Sequence, residues 1–331
     1  MAYRKLGKTA LELTEITFGA WAIGGWMWGG NEGNDAIEAI KVAIDNGITS
    51  IDTAPIYGQG ESELLVGEAI KGISRDKIQI ATKFGMRWDL AKGELVGPSE
   101  KNDGTKINIY KYAGKESVIE ECENSLKRLG TDYIDLYQIH WADPTTPIEE
   151  TYEAVLRLKE QGKIREAGVC NYDVAQVAKA DKVCPLASIQ EPYSILRKDI
   201  EEDLVPYVID NEIGILAYSP LQRGILAGKY QPGHVFNAGD TRAGSKYYQD
   251  DYLLKVNSFL DAIKPIAAGK NVTIAQVILR WTLSQPGITI ALAGARNAQQ
   301  ALDNASVMEL ALSDDELSEI DTQFAKVEIP A

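Results

Sequence analysis

The sequence predicts an α/β fold of the (β/α)8 type, a TIM barrel with an N-terminal β-hairpin at its bottom, and three observations carry that prediction. Eight short β-rich runs alternate with stretches of helical apolar spacing, the pattern of parallel βα units that close into a barrel. No GxGxxG follows the first run, where the competing open, doubly wound sheet would hold a dinucleotide. Several reactive polar residues stand at the ends of the runs, on the face where such barrels build their sites.

Taken in order, Leu6-Gly7-Lys8-Thr9-Ala10-Leu11-Glu12-Leu13 reads as two short strands around a turn, a plug for the barrel bottom. The eight strands are expected over 16–19, 48–52, 78–83, 134–140, 167–171, 187–190, 213–219 and 289–294. Helical spacing marks 35–45, 61–70, 115–129, 148–160 and 274–283 between them. Two connections, 85–114 and 222–249, are too long for simple turns, and long loops in compact domains usually serve a site. With no internal repeat or linker, the 331 residues are expected to form one domain over 1–331.

Composition narrows the function classes. Hydrophobic residues make up 45% and charged residues 25%, ordinary globular usage, and no apolar run has the length of a membrane span. The start, Met1-Ala2-Tyr3-Arg4-Lys5-Leu6, is followed by no apolar core of signal-peptide length. A cytoplasmic home is the default expectation. A formal charge of −14 opposes nucleic acid and anionic membrane surfaces as partners, so any phosphate-bearing ligand must be met by local cations. Cys122, Cys170 and Cys184 form no CxxC and read as thiols of a reducing compartment. Only His140 and His234 are present, which excludes a histidine-rich metal site.

Asp52, Lys83 and His140 fall at strand ends, and Tyr57 follows Asp52 in the loop Asp52-Thr53-Ala54-Pro55-Ile56-Tyr57-Gly58, placed to reach over the same mouth. A carbonyl receiving a hydride develops negative charge on oxygen, and a nearby acid must supply a proton as it appears. Tyr57 suits that role if a cation stabilises its phenolate; Lys83 is that cation, Asp52 positions it, and neutral His140 orients the carbonyl. Singly, each has an ordinary reading: a helix cap, a loop aromatic, a surface charge, a core histidine. Their arrival together favours the chemistry.

On these residues the chain resembles the aldo-keto reductase family, in its bacterial, channel-β-subunit-like branch. The resemblance runs from about residue 6 to 324. It rests on Gly47-Ile48-Thr49-Ser50-Ile51-Asp52-Thr53-Ala54, Tyr57-Gly58 with Gly60-Glu61-Ser62-Glu63, Ala81-Thr82-Lys83, the stretch from Leu126 through Arg128 and Asp135 to Tyr137, and His140. It implies that Asp52, Tyr57, Lys83 and His140 form the catalytic tetrad. It implies further that Cys170, Asn171 and Gln190 hold the nicotinamide carboxamide while Tyr193 stacks on the ring, with Ala20, Trp21 and Asp52 bordering it. Cys170 departs from the commoner serine. The segment holding Tyr218, Ser219, Pro220, Leu221, Arg223, Gly224 and Lys229 resembles the pyrophosphate site. Gly294, Arg296, Gln300 and Asn304 resemble the adenosine site, where Arg296 would contact a 2′-phosphate and so favour NADP(H), with NAD(H) the other choice.

Trp21, Trp26, Trp28 and Trp88, with Tyr57 and His140, are expected to wall a site for a small carbonyl or sugar substrate. The tryptophans read equally as core or interface. Two other classes remain on this fold. A nucleotide-sensing regulatory subunit would bind the cofactor tightly and turn over slowly; against a metal-dependent sugar isomerase stand the two histidines and the absence of clustered carboxylates at the strand ends.

Overall fold

The computed structural model describes residues 2–29 and 33–327; Met1 and the last residues of the domain expected over 1–331 lie outside them. Eight strands close into one parallel barrel: β1 (Ile16–Gly19), β2 (Ser50–Asp52), β3 (Gln79–Phe84), β4 (Ile134–Ile139), β5 (Ile164–Cys170), β6 (Leu186–Pro192), β7 (Gly214–Tyr218) and β8 (Ile288–Gly294). Each pairs with the next in chain order, and Ala291–Gly294 of β8 closes the ring on Ile16–Gly19 of β1. The open doubly wound sheet is thereby excluded. Every residue of β4 is buried, as a strand covered by helices outside and side chains inside must be.

Ten helices surround the barrel: α1 (Gly33–Asp45), α2 (Glu61–Ala69), α3 (Lys115–Leu129), α4 (Ile148–Glu160), α5 (Val174–Val183), α6 (Leu204–Asp210), α7 (Asp250–Lys270), α8 (Ile274–Leu283), α9 (Ala298–Ser306) and α10 (Asp314–Ala325) are those among the described residues. The five expected from spacing are α1–α4 and α8. α5, α8 and α10 each begin in a reciprocal capping box, through Asp173 and Gln176, Thr273 and Gln276, and Ser313 and Glu316, which satisfies N–H groups the first turn leaves unpaired.

At the bottom, the hairpin strands are Tyr3–Lys5 and Glu12–Thr14, paired antiparallel. The first strand precedes the segment 6–13 read from sequence and the second overlaps its end at Glu12 and Leu13, so that 6–11 forms the turn between them. That turn delivers Leu6 and Leu11, with Leu13, into the barrel against Ala81, Leu136, Ala187, Leu216, Ile290 and Leu292. The three leucines are at most 8% exposed, and burial of each stabilises by about 1.5–3 kcal/mol.

The connection 85–114 is not an irregular loop. It folds out as an antiparallel sheet of Met86–Arg87, Glu94–Glu100 and Lys106–Lys111, with the last strand in the middle. The connection 222–249 holds short 3-10 turns at Gln222–Ala227, Thr241–Gly244 and Lys246–Tyr248. No described helix is long and apolar enough to cross a membrane. Cys122, Cys170 and Cys184 are buried free thiols.

Candidate active site

Side chains two apart on a strand share a face, and that rule lifts the polar residues above the plug. On β3, Lys83 stands one step above Ala81; on β4, His140 just past the strand stands two steps above Leu136; on β7, Tyr218 stands above Leu216. Asp52 ends β2, and the following turn is closed by the Tyr57 N–H on the Ala54 carbonyl at 3.1 Å. The four residues proposed from sequence are thus brought to one end of the barrel.

Lys83 is wholly buried, which for an ammonium is tolerable only when its charge and its three protons find partners. They do: Nζ donates to Asp52 Oδ1 at 2.6 Å, to the Thr53 carbonyl at 3.0 Å and to the Tyr57 hydroxyl at 3.3 Å. Thr53 contributes only main chain, so no side-chain signal announced it. The second Asp52 oxygen accepts from Gln190 Nε2 at 2.8 Å. Burial draws Lys83 down, but Asp52 and Tyr57 outweigh it and hold the ammonium above its ordinary range. For Tyr57 the balance differs: burial pushes the phenol up to about 12 against the pull of Lys83. Lys83 pulls in the direction expected of it, but in the resting site burial dominates and Tyr57 keeps its proton. Burial, then Lys83, push His140 well below the ordinary histidine range, leaving a neutral imidazole whose ring meets that of Tyr57 edge-on at 5.7 Å.

Asn171, in the left-handed region at φ 56°, joins three strand ends. Its Nδ2 donates to the His140 carbonyl at 2.9 Å and its Oδ1 accepts from the Tyr218 hydroxyl at 2.9 Å. Cys170 is buried beside it, and burial pushes its thiol well above the ordinary range. Tyr193 departs from its expected role. It is 2% exposed, its ring lies on Trp281 with centroids 6.3 Å apart, and its hydroxyl donates to Glu201 at 2.6 Å. Strand parity explains this: Gln190 faces the interior, so Tyr193, an odd number of residues on, faces the helices. The tyrosine on the inner face is Tyr218.

Trp21 stacks on Tyr57 at 6.2 Å and meets Trp28 edge-on at 5.3 Å. Trp26, Trp88 and Met86 pack with Tyr57 around Ala54, Ile56 and Ile109. Arg223 lies over both Trp21 and Trp28, at 5.1 Å from each. Arg242, not picked out in the sequence, covers Trp28 at 4.7 Å and is paired to Asp240 at 2.6 Å. From Ser219 to Gly224 the backbone takes positive φ at Ser219, Gln222, Arg223 and Gly224, while Pro220 and Leu221 sit in the same turn, Pro220 buried. Ala20 is buried at the end of β1; Lys229 is exposed. Beyond β8, Arg296 N–H donates to Gln300 Oε1 at 2.9 Å and Asn304 Nδ2 to the Gly294 carbonyl at 3.2 Å, so these amides shape the loop that carries Arg296.

Comparison with known proteins agrees with this geometry. The profile of the Aldo/keto reductase family matches residues 15–323. The chain is 41% identical over 327 residues to aldo-keto reductase YhdN of Bacillus subtilis, covering 97% of this chain and 93% of that protein. It is 37% identical over 314 residues to the NADH-specific methylglyoxal reductase of Escherichia coli, covering 93% and 94%. Among solved structures it superposes on glycerol dehydrogenase AKR11B4 of Gluconobacter oxydans with a TM-score of 0.87 at 34% identity, covering 100% of this chain and 98% of that one. The chain belongs to the aldo-keto reductase family, oxidoreductases that work with nicotinamide cofactors.

Proposed function

We propose that this oxidoreductase moves a hydride between NADP(H) and a small aldehyde, ketone, sugar or polyol, with Tyr57 giving the proton in reduction and recovering it in oxidation. The observation that carries the reading is the Lys83 ammonium, which touches Asp52 at 2.6 Å and the Tyr57 hydroxyl at 3.3 Å from one buried point.

The nicotinamide supplies the hydride; the chain's own residues manage the charge. As negative charge grows on the carbonyl oxygen, Tyr57 passes its proton to that oxygen and Lys83 stabilises the phenolate left behind. Asp52, in contact with the ammonium at 2.6 Å, keeps Lys83 charged and aimed. His140, neutral, donates a hydrogen bond to the same oxygen and orients it. Asn171 and Gln190 offer amides to the carboxamide, and Tyr218 offers the inner aromatic face to the ring. The turn 219–224, with Arg223 and Lys229, receives the pyrophosphate, since successive backbone N–H groups in such turns make an anion-binding concavity. Arg296, with Gln300 and Asn304, takes the adenosine end, and a guanidinium there favours a 2′-phosphate.

The fit has independent support. Trp21 Nε1, Trp28 Nε1 and Arg223 Nε are buried donors without hydrogen-bond partners among the described residues. A donor left so costs about 1–3 kcal/mol, and a ligand rich in acceptors would satisfy them. The relatives named for methylglyoxal reduction and glycerol dehydrogenation suggest methylglyoxal and glycerol as first probes.

Replacing Tyr57 by Phe tests the reading. Turnover of methylglyoxal should fall by about 10²-fold or more while NADPH binding, followed by fluorescence, stays nearly intact. Near-normal turnover would remove Tyr57 from the chemistry.

A further inference from the structure

The sheet formed by 85–114 touches the β1 loop at two polar points. Asn102, at the tip of its hairpin, donates from Nδ2 to the Gly24 carbonyl at 2.8 Å, and Ser99 Oγ accepts from Trp26 Nε1 at 3.2 Å. Gly24 in turn is locked against the chain that carries Tyr57. A β-carbon on Gly24 would stand 2.8 Å from both the carbonyl carbon and the oxygen of Tyr57. A β-carbon on Gly58, whose φ is +68°, would stand 2.4 Å from the Gly24 oxygen. Only glycine fits at either position. The oxygen that Asn102 holds is therefore pressed directly on the Tyr57–Gly58 peptide.

The Tyr57 hydroxyl needs this support. Of the three contacts Lys83 makes, that to Tyr57 is the longest, 3.3 Å against 2.6 Å for Asp52 and 3.0 Å for Thr53. The hydroxyl of Tyr57 thus has the longest of the three bonds to Lys83, and its direction depends also on the backbone from which the side chain springs.

We propose that Asn102 is a positioning residue for Tyr57: by holding the Gly24 carbonyl it fixes the Tyr57–Gly58 peptide and so aims the phenol at the reacting oxygen. The inference rests on the reading of Tyr57 as proton donor. It makes the folded-out sheet a part of the catalytic frame as well as a wall of the mouth.

Asn102 is exposed, so its replacement empties no core. Asn102→Ala, and Asn102→Asp, which keeps the shape but loses the donor, should each lower kcat for methylglyoxal reduction about tenfold, the scale of a sub-ångström misplacement. Proton donation becomes slower, so the solvent deuterium isotope effect on kcat should rise. NADPH affinity and Tm should stay at wild-type values. In the double variant Tyr57→Phe/Asn102→Ala, the second change should add no further loss, because the group it aims is gone. A rise in KM alone, with kcat and isotope effect unchanged, would overturn the proposal, as would additive losses in the double variant or a loss tied to weaker NADPH binding or lower Tm. If Tyr57→Phe itself turns over normally, the proton-donor reading falls. If only Tyr57→Phe is impaired and both Asn102 variants are normal, the positioning role alone falls.

Discussion

The two ends of the barrel are made by the same strands and filled with opposite chemistry. Below, Leu6, Leu11 and Leu13 meet Ala81, Leu136 and Leu216 in a dry apolar layer. Above, steps of two residues along those strands bring in Lys83, His140 and Tyr218, joined to Asp52, Gln190 and Asn171 by hydrogen bonds. The lower layer is indifferent to which apolar side chain fills it, provided the volume is right. The upper layer is not, since Lys83, Asp52, Gln190, Asn171 and Tyr218 are held by particular partners and a missing partner leaves a charge or dipole in a low dielectric. Apolar packing and buried polar pairing are thus separated along one strand direction, and substitutions at the two ends should fail in different ways.

The largest effect is expected from Lys83→Met. It leaves Asp52 buried without its cation, a loss of about 3–5 kcal/mol for a broken buried pair, and it takes away the charge that stabilises the Tyr57 phenolate. Both Tm and turnover should drop. Adding Asp52→Asn should restore much of the stability but none of the turnover, measured by thermal unfolding and by NADPH oxidation; recovered activity would break the separation. Leu13→Ala, at the other end, should cost about 2–5 kcal/mol by the urea midpoint, with kcat per folded molecule unchanged. A changed kcat would mean that the plug feeds into the site. The smallest effect concerns cofactor choice. Arg296→Ala should weaken NADPH about tenfold or more, as loss of a charge-assisted bond of about 1.5–3 kcal/mol implies, and leave NADH untouched in parallel titrations. Equal loss for both cofactors would remove Arg296 from phosphate recognition.

What the sequence revealed, and what it hid, follows from the same physics. All eight barrel strands were legible because short apolar runs with turn residues behind them recur between helical stretches, and Asp52, Lys83 and His140 stood visibly at their ends. Tyr193 was misplaced although the signal existed: counting by twos from Gln190 turns it outward, and counting from Leu216 turns Tyr218 inward. The strand Lys106–Lys111 also carried an alternating pattern, Lys-Ile-Asn-Ile-Tyr-Lys, obscured by the length of the connection around it. α7 was hidden by Pro265 within its 21 residues. Arg242 and Asp240 left no trace, because a loop ion pair has no periodicity, and the Asn102 contact runs through a main-chain oxygen that no side-chain motif encodes. Residues that act through regular elements are readable in sequence; those that act through loop backbone are not.

The central claim, that Tyr57 carries the proton, is tested most directly by following one enzyme in both directions across pH. With a phenol held up to about 12 by burial, Tyr57 is protonated throughout pH 6–9, taken as roughly the range over which the assay is run. The kcat/KM for methylglyoxal reduction should therefore be flat over that range. Glycerol oxidation needs the phenolate, so its kcat/KM should climb about tenfold per pH unit, as the deprotonated fraction does well below a pKa. A reduction rate that instead falls with a midpoint near or below the ordinary histidine value of about 6.5 would assign the proton to His140 and contradict the account.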